Sequence, residues 1–110
     1  MGNRVRIGIE ENGIIKSVYV HFGRNASETL KKYEPEEIKN LIDMGDISYL
    51  SDNISKSIFY NRDKGERTFP RINYFRNFRG YELPGGNEFY IFSLSEGKFL
   101  VWTRQGFLAF

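Results

Sequence analysis

The feature that most limits how this chain can fold sits near its start. Val5, Ile7 and Ile9 alternate with Arg4, Arg6 and Gly8, the two-residue period of a strand with one buried face. Asn12-Gly13 follows, the dipeptide that tight hairpin turns favour most. Ile14 to Phe22 reads as the return strand. It carries Ile14, Lys16, Val18, Val20 and Phe22 on one face and Ile15, Ser17, Tyr19 and His21 on the other. The chain therefore opens on an antiparallel hairpin.

The next stretch turns helical. Gly23 to Ala26 makes a turn, and Ser27-Glu28-Thr29-Leu30 starts a helix capped by Asn25 or Ser27, with Leu30 and Tyr33 facing inward. Pro35 restarts the helix, since proline fits a first helical position. Ile38, Leu41 and Ile42 recur at the spacing of an amphipathic helix. Gly45 suits its end, and Ile47 and Leu50 are expected to fold back over that end. Ser57 to Arg62 reads as a short strand and Asp63 to Glu66 as a turn. Over residues 69–80, Ile72, Phe75 and Phe78 sit at spacing three, which predicts a short helix. Residues 82–87 read as a loop around Pro84-Gly85-Gly86. Glu88 to Leu94 has large apolar residues on both faces, the mark of a central, doubly covered strand. Ser95 to Gly97 turns the chain into a last strand, Lys98 to Arg104. Trp102 is expected in the core, and the apolar ending from Phe107 to Phe110 to pack on the domain or on another subunit.

These elements predict one α+β domain over residues 1–110. Its antiparallel sheet has about five strands, an N-terminal hairpin and two or three helices packed on one face. A chain of 110 residues buries roughly two-thirds of its unfolded surface, so it needs no metal or disulfide to fold. It has no cysteine, which excludes thiol catalysis, zinc fingers and disulfide scaffolds and suits a reducing cytoplasm. The charged, alternating start from Met1 to Ile9 is unlike a signal peptide. No apolar run approaches the roughly 20 residues of a membrane helix.

Net charge is only +2. That is too weak for sequence-independent DNA binding through many phosphate contacts, and the wrong sign for a DNA mimic. The charge is uneven, however. Residues 62–79 hold Arg62, Lys64, Arg67, Arg71, Arg76 and Arg79 against Asp63 and Glu66. Residues 34–46 hold Glu34, Glu36, Glu37, Asp43 and Asp46 against Lys39.

Three groups of residues carry candidate chemistry. Arg24, Asn25 and Ser27 stand at a helix start, where free N–H groups and a guanidinium fork suit an anion, although simple capping explains the same residues. Arg62, Lys64 and Arg67 surround the Gly65 turn and could line an anion site. Asp63 and Glu66 beside them could instead hold a metal, but two carboxylates alone are few for one, and no metal or cofactor is expected. Phe69, Arg71, Tyr74, Phe75, Arg76, Phe78, Arg79 and Tyr81 interleave rings with arginines, a composition shared by base-stacking sites, protein interfaces and ordinary cores. His21, the only histidine, could act as a base oriented by Asp46, Asp63 or Glu66, or could be a strand histidine bonded to a carbonyl. No nucleophile–base pair or ligand triad is visible. An enzyme such as a small phosphodiesterase or nuclease is therefore the minor reading. Asp46 is expected to cap the reversal after Gly45.

Several of these segments resemble a family of small bacteriophage proteins. The resemblance rests on Leu41-Ile42-Asp43-Met44-Gly45-Asp46-Ile47-Ser48-Tyr49-Leu50, similar to the family's L-I-x-x-G-D-[IL]-S-x-L. It also rests on Tyr60-Asn61-Arg62-Asp63-Lys64-Gly65-Glu66, similar to Y-x-R-D-x-G-E, and on Tyr90-Ile91-Phe92 through Gly97-Lys98-Phe99 near the end. Where the family has Trp-Asp-Gly-Tyr-Pro and a glycine-rich loop, this chain has the shorter Phe22-Gly23-Arg24-Asn25-Ala26. The resemblance implies phage origin and brings no settled activity with it; phage origin, by association, makes a counter-defence role in the host cytoplasm the expectation.

The resulting expectation is a non-enzymatic protein that captures an anionic, nucleotide-like small molecule as a sponge. Arg24, Asn25, Ser27, Arg62, Lys64 and Arg67 would hold it, with His21 nearby and Tyr19, Tyr60 or Tyr74 stacking on a base. The alternative is an inhibitor that binds a host defence protein through Tyr74, Phe75, Arg76 and Arg79. In the capture reading, Phe107 and Phe110 of the apolar ending would supply a contact for a homo-oligomer, with the site formed between subunits. Neither membrane nor sequence-specific nucleic acid is an expected partner.

Overall fold

Strands β1 (Val5–Glu11) and β2 (Ile14–Phe22) form the predicted hairpin in a computed structural model that describes residues 4–76, 78–79 and 88–110. Asn12 (φ 55°) and Gly13 (φ 82°) both take the left-handed conformation, which matches a two-residue turn to the twist of its strands. The register runs from Val5 opposite Val20 to Glu11 opposite Ile14.

The sheet grows outward from this hairpin. On the far side of β1 lies β6 (Glu88–Ser93), parallel to it. Strands β7 (Lys98–Thr103) and β8 (Gly106–Ala109) follow as an antiparallel meander. The outer edge of β2 is shared between two short strands. Its second half pairs in parallel with β3 (Ile47–Tyr49), and its first half pairs antiparallel with β5 (Arg71–Tyr74). Strand β4 (Ile58–Phe59) completes that side beside β3. The order is β4-β3-β2-β1-β6-β7-β8, with β5 beside β2. The fold is thus α+β with a mostly antiparallel sheet, but the sheet has eight strands, not about five.

Among the described residues, three helices accompany it: α1 (Ala26–Leu30), α2 (Pro35–Asp43) and α3 (Tyr60–Lys64). Helix α2 begins at Pro35 as predicted. The Glu37 carboxylate accepts the Glu34 N–H at 2.9 Å, which satisfies a backbone donor at the helix start. Its Ile38, Leu41 and Ile42 are fully buried against Val5, Ile7, Ile9, Val18 and Val20 of the hairpin. A second, smaller core lies on the other face. There Phe78 packs against Phe89, Trp102 and Phe107, with ring centroids 4.6 to 5.5 Å apart. Strand β6 contributes Phe89 and Ile91 to this core, and Tyr90 and Phe92 to the first. That is the doubly covered central strand the sequence predicts.

Four expectations are corrected. Of Ser57 to Arg62, only Ile58 and Phe59 are extended, and Tyr60 to Arg62 begin α3. The Asp63 carboxylate accepts the Phe59 N–H at 2.8 Å and so closes the helix start from within. Residues 71–74 form a strand rather than part of a helix, because the free first half of β2 offers a ladder that outweighs the local spacing. Residues 47–49 are β3 rather than a fold-back over the helix end. Lys98 to Arg104 does not hold the last strand, because residues 106–109 form a further edge strand beside it. The loop expected at 82–87 lies outside the described residues.

Candidate functional site

Strands β2 and β3 end side by side, with Phe22 opposite Tyr49 in the register. Leu50 N–H donates to the Phe22 carbonyl at 3.2 Å, which holds the two ends together. The chain then reverses through Asn25, whose φ of 58° is left-handed, and α1 returns alongside. Between α1 and the strand ends lies a cleft of about 580 Å³ lined by Phe22, Arg24, Asn25, Glu28, Lys32, Tyr49 and Asp52. This size falls within the range of small-molecule sites.

One wall of the cleft is aromatic. Phe22 is 46% exposed and Tyr49 48%, so both rings offer faces to solvent. The opposite wall is charged. Lys32 lies 3.7 Å from Asp52, whereas Arg24 and Glu28, both exposed, have no hydrogen-bond or ion-pair partner among the described residues. The four charges sum to zero, from Arg24 and Lys32 against Glu28 and Asp52.

The residues singled out in the sequence fall into three places rather than one. Arg24 and Asn25 line the cleft. Ser27 does not, and no side chain caps α1. Tyr19 and His21 alternate with Phe22 along β2; the Tyr19 hydroxyl meets His21 Nδ1 at 2.7 Å, and the His21 ring packs edge-on against the cleft residue Phe22, with centroids 4.5 Å apart. Among the described residues, the hydrogen-bond partner of His21 is therefore Tyr19, not a carboxylate or a backbone carbonyl.

Arg62 is consumed by the fold. It donates to Ser57 O at 2.5 Å, to Ile54 O at 3.2 Å and to both oxygens of Asp63 at 2.9 Å. Its guanidinium lies 4.8 Å from the Phe59 ring centroid. The Arg62 contact, with help from the Phe59 N–H, holds the Asp63 carboxyl below its ordinary range. Lys64 sits 5.3 Å over the Tyr60 ring. Arg67 is exposed beside a separate, shallow depression with Asn61, Gly65 and Phe69.

Of the predicted interface residues, Tyr74, Arg76 and Arg79 are exposed. Phe75 and Phe107 pack on each other at 5.4 Å. Phe110 packs on Tyr90 and Phe99, beneath Lys31.

Three groups escaped the sequence reading. Phe22 reads only as the last residue of a strand and Tyr49 only as part of the segment after Gly45, and nothing local marks either as an exposed ring. Glu10 is fully buried and accepts hydrogen bonds from Ser93 Oγ at 2.5 Å, Gly13 N at 2.8 Å and the Ser95 hydroxyl. It thereby ties two hairpin turns together. The third group explains the two quoted motifs, which interlock. Asp46 Oδ1 accepts the Tyr19 N–H at 3.0 Å, filling the gap between β3 and β5 on the edge of β2. Asp46 N–H donates to Thr68 Oγ1 at 2.8 Å. The Asn61 carboxamide donates to Met44 O at 3.0 Å and Thr68 O at 2.9 Å, and accepts from Thr68 N at 2.6 Å. Asp46 bridges strands rather than merely capping a reversal.

No protein-family model, no curated protein and no solved structure matches the chain. Among the described residues, no helix is long and apolar enough to cross a membrane.

Proposed function

We propose that the protein is a non-catalytic binder that captures a nucleotide-like small anion in the cleft between α1 and the ends of β2 and β3. The observation that carries this reading is Arg24, an exposed guanidinium with no partner among the described residues, beside two neighbouring exposed rings. A base stacks on Phe22 or Tyr49, which contributes ~1–3 kcal/mol by analogy with single-stranded nucleic-acid sites. The anionic group takes the Arg24 fork bidentately. Glu28 is placed to accept an exocyclic amino group.

The neutral charge sum sets the ligand class. With Lys32 beside Asp52, Arg24 is the cleft cation without a partner among the described residues, which suits one phosphate better than a polyphosphate chain. The reading therefore narrows to a nucleoside monophosphate or a ligand presenting one such unit. In the phage setting implied by the sequence resemblance, capture of a host nucleotide signal would act by affinity and stoichiometry, without turnover. Arg62, Lys64 and Arg67 have no part in this site.

Thermal melting against nucleoside monophosphates, cyclic dinucleotides and ADP-ribose derivatives tests the proposal. A ligand at 100 times its Kd stabilises the fold by about 2.7 kcal/mol. The expected result is an upward Tm shift with a monophosphate that disappears in Arg24→Glu and survives in Arg67→Glu. Flat curves across the panel, or a shift lost only in Arg67→Glu, would overturn it.

A further inference from the structure

Among the described residues, strand β5 is paired along one side only, by β2. Phe75 N–H donates to Gly13 O at 2.9 Å. In an antiparallel ladder this alternation turns the backbone groups of residues 71 and 73 toward β2 as well, and leaves the N–H and C=O of Ile72 and Tyr74 on the outer edge. The side chains of these two residues are 53% and 69% exposed. They stand on the same face as their register partners, Lys16 and Ile14. The helix layer does not reach this strip, because α2 packs on β1 and β2.

An open edge with apolar side chains is a template for another strand. The surrounding charge says which kind. From residue 67 to 79 the chain has four arginines and no carboxylate. Arg67 and Arg76 bracket the strand, are exposed, and have no ion-pair partner among the described residues. A second copy of this chain would bring these like charges together. Nucleic acid would meet the arginines but leave the outward backbone groups unused.

We propose that β5 is a docking edge for an extended, acidic segment of another protein, which adds a strand to the sheet. Main-chain hydrogen bonds to Ile72 and Tyr74 supply the pairing, and alternate side chains supply specificity. Apolar residues of the segment cover Ile72 and Tyr74, and its carboxylates meet Arg67 and Arg76. A hollow of about 250 Å³ beside Ile14, floored by Ile9 and rimmed by the Lys16–Asp43 and Lys39–Glu11 ion pairs, continues the apolar strip without adding net charge. This site is separate from the cleft and does not depend on it.

The test is fluorescence anisotropy of the full chain with a labelled peptide that alternates valine and glutamate, against its valine–lysine counterpart. Binding of the acidic peptide alone, weakened by salt, is expected. Ile72→Pro removes an outward N–H and spares the β2 ladder, so it should weaken binding about tenfold, the equivalent of one charge-independent hydrogen bond. The double variant Arg67→Glu/Arg76→Glu should weaken it at least as much, and Arg24→Glu should leave it unchanged. Methylating alternate amides of the peptide, which blocks strand pairing without altering the protein, should abolish binding in one of the two registers. Equal binding of the lysine peptide, insensitivity to both methylation registers, stronger binding of an oligothymidine, or a dimer that excludes the peptide would each overturn the proposal.

Discussion

Glu10→Ala should lower stability at neutral pH by about 2–4 kcal/mol, from the hydroxyls and N–H it leaves unpaired. The Glu10 side chain is fully buried, and three groups from two turns converge on it: Gly13 N–H from the first hairpin, and Ser93 and Ser95 from the β6–β7 turn. Burial alone would raise the carboxyl. The hydrogen bonds from Ser93, Ser95 and Gly13 outweigh burial and hold it below its ordinary value of 4.5. The sign of the pH dependence follows. A carboxyl whose folded pKa is depressed stabilises the fold above its unfolded pKa, and that contribution fades as pH falls through the folded value. The stability gap between the natural chain and Glu10→Gln should therefore be present at neutral pH and close as pH drops below about 4. Urea unfolding across that range measures it. A gap that persists undiminished into acid would contradict this role for the ionised form.

Gly45→Ala should cost about 3–4 kcal/mol, combining left-handed strain with displaced hydrogen bonds. Gly45 has φ +88°, and a Cβ there would sit 2.4 Å from Asn61 Nδ2 and 2.7 Å from Thr68 Oγ1. The Asn61 carboxamide cannot swing aside freely, because it holds three backbone groups. Thr68 in turn receives the N–H of Asp46, whose carboxylate closes the edge of β2. Gly45→Ala should accordingly speed hydrogen exchange at Tyr19 as well as at Thr68. The cost should also be less than additive with Asn61→Ala, which removes the nearest clashing atom, whereas independent sites add. Denaturant unfolding of the two single variants and the double variant decides between these outcomes.

These two positions show where the sequence is legible and where it is not. The hairpin was readable because its two signals, alternation from Val5 and the Asn12-Gly13 turn, are local. Helix α2 was readable for the same reason, from Pro35 and the Ile38, Leu41, Ile42 spacing to the Gly45 stop. Strands β3 and β5 were not, and β4 was legible only inside an overlong strand from Ser57 to Arg62. Each has two to four residues, too few for a period to register, and each exists because β2 or β3 offers an edge to pair with. The spacing of Ile72, Phe75 and Phe78 looked helical. In the fold, Ile72 lies on the exposed strip while Phe75 and Phe78 turn into the second core. Composition also could not distinguish a spare arginine from a structural one: Arg62 clamps the 54–63 segment, while Arg24 stands open. Half of the cleft was in view from Arg24 and Asn25. The other half, Tyr49, reaches Phe22 only through the parallel pairing of β2 with β3.

The most direct test of the central claim is a titration of the full chain with adenosine and guanosine monophosphates, following amide and aromatic resonances. Capture in the cleft predicts saturable shifts at Phe22, Arg24, Glu28 and Tyr49, with Lys64 and Arg67 unmoved. Shifts centred on residues 60–67, or none anywhere at saturating nucleotide, would contradict it.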